Sequence, residues 1–381
     1  MTFIRHPQSP LLDHCPEALP PDAYYSADWY QREQRSLWLN NWVCVGRLND
    51  LECGTMRRED IAGASIILCR AANGDLTAYH NTCRHRGSEL CLQPSQPLGK
   101  LITCPYHAWS YSAADGRLVS VAHATPTDDF KKEEHSLYKV QLQIWRGFIF
   151  VKLGNDARPL APDLGLEALA NWPMDELVTG HRWVKDMECN WKGFWDNYNE
   201  CLHCPGIHPE LCDMVPLYRR GIMSAQEAPD WSPDHGETRN LKEGAESWTM
   251  TGAPCGPVFE GLTARERENG YNFVTIYPTM YVVGHVDYVR AVRLMPTGPD
   301  TARLTAEWYF PQATLNQPGF DAAHVAAFAK IVMGQDGDAA EMNQRGLRSP
   351  AFKRGRLMPQ EFDIYKFHNW VIDEMKREVA A

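Results

Sequence analysis

Apolar and polar positions change their spacing along the chain. The stretch from Ser26 to Trp42, with Trp29, Leu37 and Trp38 set among acidic and basic residues, predicts a helix. Between Asn41 and Tyr79 the pattern shortens to strands: W-V-C-V-G, then I-I-L-C at 66–69, then L-T-A-Y, with glycine and Asn-Gly turns between them. Ala72-Asn73-Gly74-Asp75 is a hairpin signal, and Asp115-Gly116-Arg117 marks a second one. Another short strand is predicted at Leu101–Cys104. The run from Tyr138 to Val151 supplies the last strands of a small all-β unit. Alternation of Val140, Leu142 and Ile144 there predicts a strand with one buried face.

A linker with proline and aspartate, Arg158–Leu164, leads to a region of different layout. H-R-W-V-K-D-M-E-C-N-W-K runs into a helix starting near Trp191, and residues 224–256 are polar and rich in Gly and Pro. So long a stretch without obvious structure predicts an excursion over the surface or a pocket lid. Strands return as Y-N-F-V-T-I-Y from Tyr271, M-Y-V-V-G-H-V-D-Y-V-R-A-V-R-L-M, and A-R-L-T-A-E-W-Y-F. The short turn M-P-T-G-P-D between the last two makes them antiparallel neighbours. Helices are predicted near 321–345 and over Glu361–Lys376. The fold class is α+β: an N-terminal segment (1–40) packing on the last part, a small all-β domain (41–155), and a domain with an antiparallel sheet and flanking helices (156–381).

Composition narrows the function classes. With 381 residues the chain holds one large or two medium cores. A net charge of -10 without any basic block argues against a nucleic-acid partner. The first residues contain no apolar signal run and no tract is long enough to span a membrane, so a soluble, cytoplasmic protein is expected. Twelve cysteines are dispersed rather than clustered, which predicts mostly reduced thiols plus a metal site. Thirteen tryptophans fit either large buried cores or an aromatic-lined pocket.

The first chemistry-bearing stretch is C-R-H-R-G at 83–87 with C-P-Y-H-A-W at 104–109, eighteen residues separating His85 from Cys104. In a two-iron, two-sulfide cluster one iron takes two thiolates and the other can take two neutral imidazoles, which raises the potential. Two loops, each supplying one Cys and one His, suit that need, and Gly87 and Pro105 are turn residues where loops are required. A structural zinc could also use two Cys and two His, but zinc fingers group like with like, whereas here they alternate. The pattern resembles Rieske iron-sulfur domains over roughly residues 40–150. That resemblance implies Cys83, His85, Cys104 and His107 as ligands of a [2Fe-2S] cluster. Arg84 and Arg86 beside them either offset cluster charge, contact a reductase or are plain surface residues.

The second constellation is N-Y-N-E-C-L-H-C-P-G-I-H, residues 197–208. Asn197, Glu200 and His203 are spaced i, i+3, i+6, which a helix would set roughly on one face. Pro205 disfavours continuing that helix through Cys204 and Gly206 permits a turn, so His208 can fold back towards His203. Two imidazoles and one carboxylate with open positions make a non-haem Fe(II) centre able to react dioxygen with an organic substrate. Cys201 and Cys204 form a C-x-x-C pair, redox-active, zinc-binding or simply packed beside His203. Asp336 and Asp338 are the candidates for the third ligand. On a helix Asp336 shares an inward stripe with Val325, Ala329 and Val332, while Asp338 falls in another sector.

This region, following the Cys/His loops in this order, resembles the catalytic domain of Rieske non-haem iron oxygenase large (alpha) subunits, a helix-grip fold. The likeness implies His203 and His208 as iron ligands. It also implies Asp336, eight residues before the Gln-Arg-Gly at 344–346, and Glu200 as the acid bridging an iron ligand to a cluster histidine of the next subunit. Many ring-hydroxylating members carry Asp at that point; Glu occurs in relatives acting on quaternary ammonium compounds. A head-to-tail homotrimer is implied, electrons passing from the cluster through His107 to Glu200 and His203 of the neighbour. No G-x-G-x-x-G follows a strand and no plant-type cysteine run is present, so NAD(P)H serves only indirectly, through a separate flavin and iron-sulfur reductase.

N-Y-N-E-C-x-H-C-P-G-x-H-P-E-L resembles oxygenases that demethylate glycine betaine, stachydrine and similar compounds. A quaternary nitrogen has no lone pair, so oxidation must reach a methyl C–H bond, which activated dioxygen can do; the N-hydroxymethyl product collapses to formaldehyde and a tertiary amine. Recognition needs aromatic faces around the cation and a donor for a carboxylate. Tyr271, Phe273, Tyr277, Tyr281, Tyr288 and Trp308 lie on the late strands, with Arg290 or Arg293 for the anion, although ordinary packing suits each of them as well. The alternatives are an aromatic-ring hydroxylating dioxygenase, with an apolar slot above the iron, and a non-catalytic Rieske electron carrier without mononuclear iron.

Overall fold

Short apolar runs punctuated by turn residues fold into ten strands in a computed structural model that describes residues 6–160, 165–235 and 240–377. They are β1 (Val43–Arg47), β2 (Thr55–Ile61), β3 (Ala64–Arg70), β4 (Leu76–His80), β5 (Ser95–Pro97), β6 (Leu101–Thr103), β7 (Trp109–Ser112), β8 (Leu118–Val121), β9 (Gln141–Trp145) and β10 (Phe148–Lys152). The end of the predicted linker (161–164), four residues of the predicted excursion (236–239) and both chain ends lie outside the described residues.

These strands belong to one unit, Trp38–Leu160. They make three antiparallel sheets in the orders β1-β10-β9, β4-β3-β2-β5 and β6-β7-β8. Asn73-Gly74 turns β3 into β4, with Gly74 at φ +91° and its N–H donating to Ala71 O at 2.9 Å. Gly116, at φ +78° between β7 and β8, has a second reason to be glycine: a Cβ would stand 2.6 Å from Tyr79 Cε1. Met56, Ile67, Tyr79, Leu90, Ile102 and Tyr111 form the core, which runs up to Cys83 and Cys104. One expectation fails here. Val140 is buried but Ile144 is 48% exposed, because β9 is an edge strand with β10 as its only neighbour in the sheet.

The other unit comprises, of the described residues, 6–37, 165–235 and 240–377. Its N-terminal helix α1 (Ala27–Glu33) starts at Ser26, whose side chain accepts from Trp29 N–H, and ends where the backbone widens into a π-helical turn, Gln34–Trp38. Glu33 of α1 is fully buried. It pairs at 2.6 Å with the buried ammonium of Lys192, and its other oxygen accepts from Trp191 Nε1 at 2.9 Å. Breaking so buried a pair costs about 3–5 kcal/mol, which fixes α1 to the helix that carries Trp191 and Lys192.

That helix is α2 (Trp191–Tyr198), followed by the short α3 (Cys204–Ile207) and α4 (Pro209–Met214). A five-stranded antiparallel sheet is built from β11 (Val178–Met187), β12 (Tyr271–Ile276), β13 (Met280–His285), β14 (Val289–Gly298) and β15 (Thr301–Phe310), in the order β11-β15-β14-β13-β12. The run from Met280 to Met295, which looks like one strand in sequence, is two. A turn at Val286-Asp287-Tyr288 divides it, closed by His285 N–H to Tyr288 O at 2.9 Å. Asp287 pins that turn by accepting from Ser247 Oγ at 2.6 Å and from Cys255 N–H.

Helices α5 (Ala264–Asn269) and α6 (Gln312–Leu315) are short. The long α7 (Ala322–Leu347), capped by Asp321, lies along β11. Glu188 N–H donates to Glu341 at 3.1 Å and Asn190 N–H to Gln344 at 3.0 Å, so the chain beyond β11 is fastened to the last turns of α7. The closing helix is α8 (Phe362–Lys376). Among the described residues no helix is long and apolar enough to cross a membrane.

Candidate metal centres and active site

In the small unit, Cys83 and Cys104 head two loops with the same backbone hydrogen bonds. Cys83 O accepts from Gly87 N–H and Cys83 N–H donates to Ser88 O; Cys104 O accepts from Ala108 N–H and Cys104 N–H donates to Trp109 O. The fifth residue of each loop is left-handed, Gly87 at φ +77° and Ala108 at φ +56°. Both cysteines are buried, while His85 and His107 lie further out, their rings 4.7 Å apart. Trp109 stacks on His85 at 4.8 Å, and Arg86 Nη2 lies 3.0 Å from His107 Nε2. Arg84 donates to the carbonyls of Ser136 and Glu134, so it braces the loop.

The sulfur side has its own hydrogen-bond partner. Tyr111 Oη accepts from Arg84 N–H at 3.0 Å and sits 3.1 Å from Cys83 Sγ, so its proton is free for the sulfur. Burial pushes the Cys83 thiol up, which an iron would reverse by taking its proton's place. One zinc ion would gather four ligand atoms within about 4 Å of one another. Among the described residues, the set of three or more potential ligands whose atoms all lie within 4.8 Å is a different one. Buried sulfurs and outer imidazoles suit the two unlike irons of a Rieske cluster.

That set is His203, His208 and Asp336. The distances are 3.1 Å between the two Nε2 atoms, 2.9 Å from His208 Nε2 to Asp336 Oδ1 and 3.5 Å from His203 Nε2 to the same oxygen. Cis ligands of a six-coordinate ion with bonds of about 2.1 Å stand about 3 Å apart, so the spacing fits one metal on three adjacent positions. The proton inventory agrees. His203 Nδ1 donates to Glu200 Oε1 at 2.5 Å, and His208 Nδ1 donates to Gln335 Oε1 at 2.8 Å. Gln335 is oriented by its own donation to Glu210 Oε2 at 3.2 Å. Both Nε2 lone pairs and a carboxylate oxygen therefore converge on a point that needs a cation. Without a cation at that point a proton on His203 Nε2 stands in for it: burial disfavours charge on His203, yet its hydrogen bonds to Asp336 and Glu200 outweigh that and push its pKa up to about 9, and a metal bound there would displace that proton.

Local structure here departs from the helical reading of 197–203. Helix α2 stops at Tyr198 and Asn199 caps it. Glu200 ends the helix because its Oε2 accepts from the N–H groups of Leu202 and His203, which folds 200–203 into a turn. Pro205 does not end a helix but opens one, occupying the first turn of α3, where its missing N–H has no intrahelical partner to lose. Asn197 lies at the end of α2 with Nδ2 3.5 Å from His203 Nε2. Cys201 and Cys204, the C-x-x-C pair, are joined in a disulfide across His203, so neither offers a thiolate to a metal, while the other ten cysteines are free, as the expectation of mostly reduced thiols has it. Asp336 projects from α7, whereas Asp338, 75% exposed, pairs with Lys185 at 3.0 Å.

Beside the triad is a cavity of about 280 Å³. One wall follows from the period of the sheet: Tyr271, Phe273 and Thr275 of β12, Tyr281 and Val283 of β13 and Arg290 of β14 are cross-strand neighbours on one face. Val332 and Met333 of α7 face them across the cavity, and Tyr277 lines its edge. Burial pushes the Tyr271 and Tyr281 phenols up to about 12, so both stay neutral.

Three expected pocket residues are elsewhere. Tyr288 is fully buried in the β13–β14 turn with its hydroxyl on Trp248 O. Trp308 sits one strand further along the sheet, against His181 at 5.4 Å. Arg293, three residues from Arg290 and so on the opposite face, pairs with Glu307 at 3.3 Å. Sequence reasoning missed Tyr198, Tyr218 and Trp248, which line the cavity, and Gln335, which holds His208. Adjacency to Asp336 on the helix was a usable signal for Gln335; Trp248 comes from the irregular excursion and had none.

Comparison with known proteins accords with both centres. The Rieske [2Fe-2S] domain family matches residues 41–132, and the family of ring-hydroxylating alpha subunits (catalytic domain) matches residues 174–377. The glycine betaine monooxygenase oxygenase subunit of Chromohalobacter salexigens is 28% identical over 96% of this chain and 87% of its own. The carnitine monooxygenase oxygenase subunit of Escherichia coli (strain K12) is 25% identical over 94% of each chain. Among solved structures, a quaternary ammonium Rieske monooxygenase superposes with a TM-score of 0.74 at 21% identity, covering 95% of this chain and 96% of that one. Naphthalene 1,2-dioxygenase from Rhodococcus sp. does so with 0.67 at 17%, over 95% of each; both likenesses speak for the fold alone.

Proposed function

The chain belongs to the family of ring-hydroxylating oxygenase alpha subunits with a Rieske [2Fe-2S] domain, and from that membership we propose that it is the oxygenase component of a quaternary ammonium N-demethylase. Cys83, His85, Cys104 and His107 hold the cluster; His203, His208 and Asp336 hold Fe(II). The carrying observation is the three-ligand point beside a cavity walled by Tyr198, Trp248, Tyr271, Phe273 and Tyr281. Ring faces attract a quaternary cation that has no hydrogen to donate. Relatives named for glycine betaine and carnitine support the same reading.

Bound iron supplies the activation of dioxygen. The chain's own residues do the rest. Glu200 and Gln335 keep the Nδ1 protons of His203 and His208, leaving both Nε2 lone pairs for the metal. Val332, Met333 and Leu211 exclude water from the cavity, and the rings turn an N-methyl group towards the triad. One atom of O2 enters the methyl C–H bond and the other leaves as water, with two electrons and two protons consumed. The N-hydroxymethyl ammonium product then breaks its C–N bond to give formaldehyde and a protonated tertiary amine.

The electrons come from NAD(P)H through a separate flavin and iron-sulfur reductase. In a head-to-tail homotrimer of this cytoplasmic protein, His107 of one subunit would reach Glu200 of the next. Turnover with a compatible reductase, O2 and betaines on one side or arenes on the other tests the reading. Stoichiometric formaldehyde from a betaine is expected. A cis-dihydrodiol from an arene with no formaldehyde would instead identify a ring dioxygenase, and two irons per chain in place of three would identify an electron carrier.

A further inference from the structure

Arg290 is a buried cation that the protein leaves uncompensated. It is 4% exposed, lines the cavity beside the iron triad, and has no ion pair or hydrogen bond among the described residues; its Nε is buried without any acceptor. Its guanidinium carbon lies 5.7 Å from the Trp248 ring and 5.9 Å from the Tyr281 ring, faces that attract the charge but accept no hydrogen bond along the fork. Arg293, three residues on, shows how this sheet treats an arginine it merely needs to bury: Glu307 accepts from it, and Tyr309 steadies the carboxylate at 2.9 Å. The phenol of Tyr281, whose ring lies beside the guanidinium, is kept neutral by burial, so it is not the counter-anion.

A buried guanidinium without an anion is costly to keep unless one arrives with the ligand. Its planar fork matches a carboxylate, which it can bind through two parallel hydrogen bonds. Glu200, Asp336 and Asp363 give the other part of the cavity the opposite preference. We propose that Arg290 anchors a carboxylate of the substrate. The substrate is therefore zwitterionic, a quaternary ammonium acid held by its anion at β14 with its methyl groups towards His203, His208 and Asp336; it is not an amino alcohol or a simple alkylammonium ion. This rests on the quaternary ammonium reading above and adds the second charge to it.

Calorimetric binding to the metal-loaded protein, without reductase, tests it with three probes: glycine betaine, choline (a hydroxyl in place of the carboxylate) and naphthalene. Glycine betaine is expected to bind at least about thirtyfold more tightly than choline, and Arg290→Gln to remove that preference by weakening glycine betaine alone. Arg290→Lys should restore part of it, since the charge remains and the fork is lost. Equal affinity of the unaltered protein for glycine betaine and choline overturns the assignment of Arg290 while leaving the demethylase reading in place, as does an Arg290→Gln variant that still prefers the acid. Binding of naphthalene with neither cation overturns the demethylase reading itself. The comparison within the unaltered protein stands even if a variant fails to fold.

Discussion

Each Cys-His loop of the small unit closes on itself through two backbone hydrogen bonds within six residues, and the second loop repeats the first. The triad of the other unit joins a turn at 200–208 to a helix residue 128 positions later, and the groups that orient it, Glu200, Gln335 and Glu210, are side chains from three elements. The first centre is thus specified locally and the second by tertiary docking. A substitution in a loop should leave the neighbouring loop formed, whereas one on α7 should remove the mononuclear site without touching the cluster.

The sharpest way to break that contrast is Asp336→Ala. Losing one of three ligands should lower turnover by about three orders of magnitude or more. Iron should fall from about three to about two atoms per chain while the cluster's absorption is kept, and Asp338→Ala, altering only an exposed pair with Lys185, should do neither. Retention of a third iron in Asp336→Ala would sink the ligand assignment. Glu200→Gln comes next. The amide can still meet a backbone N–H but cannot receive both backbone donors and the His203 Nδ1 proton as the carboxylate does. Both metals should load, and product formation coupled to cluster oxidation should slow about 10–100-fold. Unchanged rapid-mixing kinetics would deny Glu200 a part in the transfer.

The same contrast governs what could be read from the chain beforehand. Cysteine and histidine spacing carries the cluster loops because their geometry is local, and the late strands are legible as runs of β-branched and aromatic residues bounded by turn signals, β13 and most of β15 being buried on both faces. The i, i+3, i+6 pattern at 197–203 misled, since periodicity cannot register a Glu200 side chain that captures the next turn's N–H groups. The turn that splits 280–295 was invisible for a similar reason: Asp287 is held by Ser247 and Cys255, far away in sequence. By residue type alone Arg290 and Arg293 are equal candidates, although a three-residue separation on a strand puts them on opposite faces. Trp248 and Tyr218 reach the cavity from segments with no periodic signal, and only packing assigns them.

Two side chains of β7 reach the cluster site from the sheet, Trp109 against His85 and Tyr111 against Cys83, and the second sets a subtler test. Tyr111 accepts from Arg84 N–H and so directs its own proton at Cys83 Sγ. That hydrogen bond favours the reduced, more negative cluster. Tyr111→Phe should lower the potential by roughly 40 mV if the bond differs by about 1 kcal/mol between redox states. Redox titration followed by the visible spectrum measures it, and an unchanged or raised potential would mean that the hydroxyl serves Arg84 alone.

The smallest expected effect probes whether the two loops are one motif. Gly87 and Ala108 hold equivalent left-handed positions, but only one is the residue that conformation favours. Ala108→Gly relieves a strain of about 1–2 kcal/mol, offset by about 0.5–1 kcal/mol of extra backbone entropy in the unfolded chain. A net stabilisation of about 1 kcal/mol or less should appear in thermal melting, with cluster spectrum and potential unchanged. Gly87→Ala should show the mirror image, a loss of about 1 kcal/mol, because its Cβ would meet nothing nearer than Thr82 Oγ1 at 3.9 Å and only the backbone is strained. Opposite signs of similar size would make the loops interchangeable in design; loss of the cluster in either variant would mean that one of them depends on contacts the other lacks.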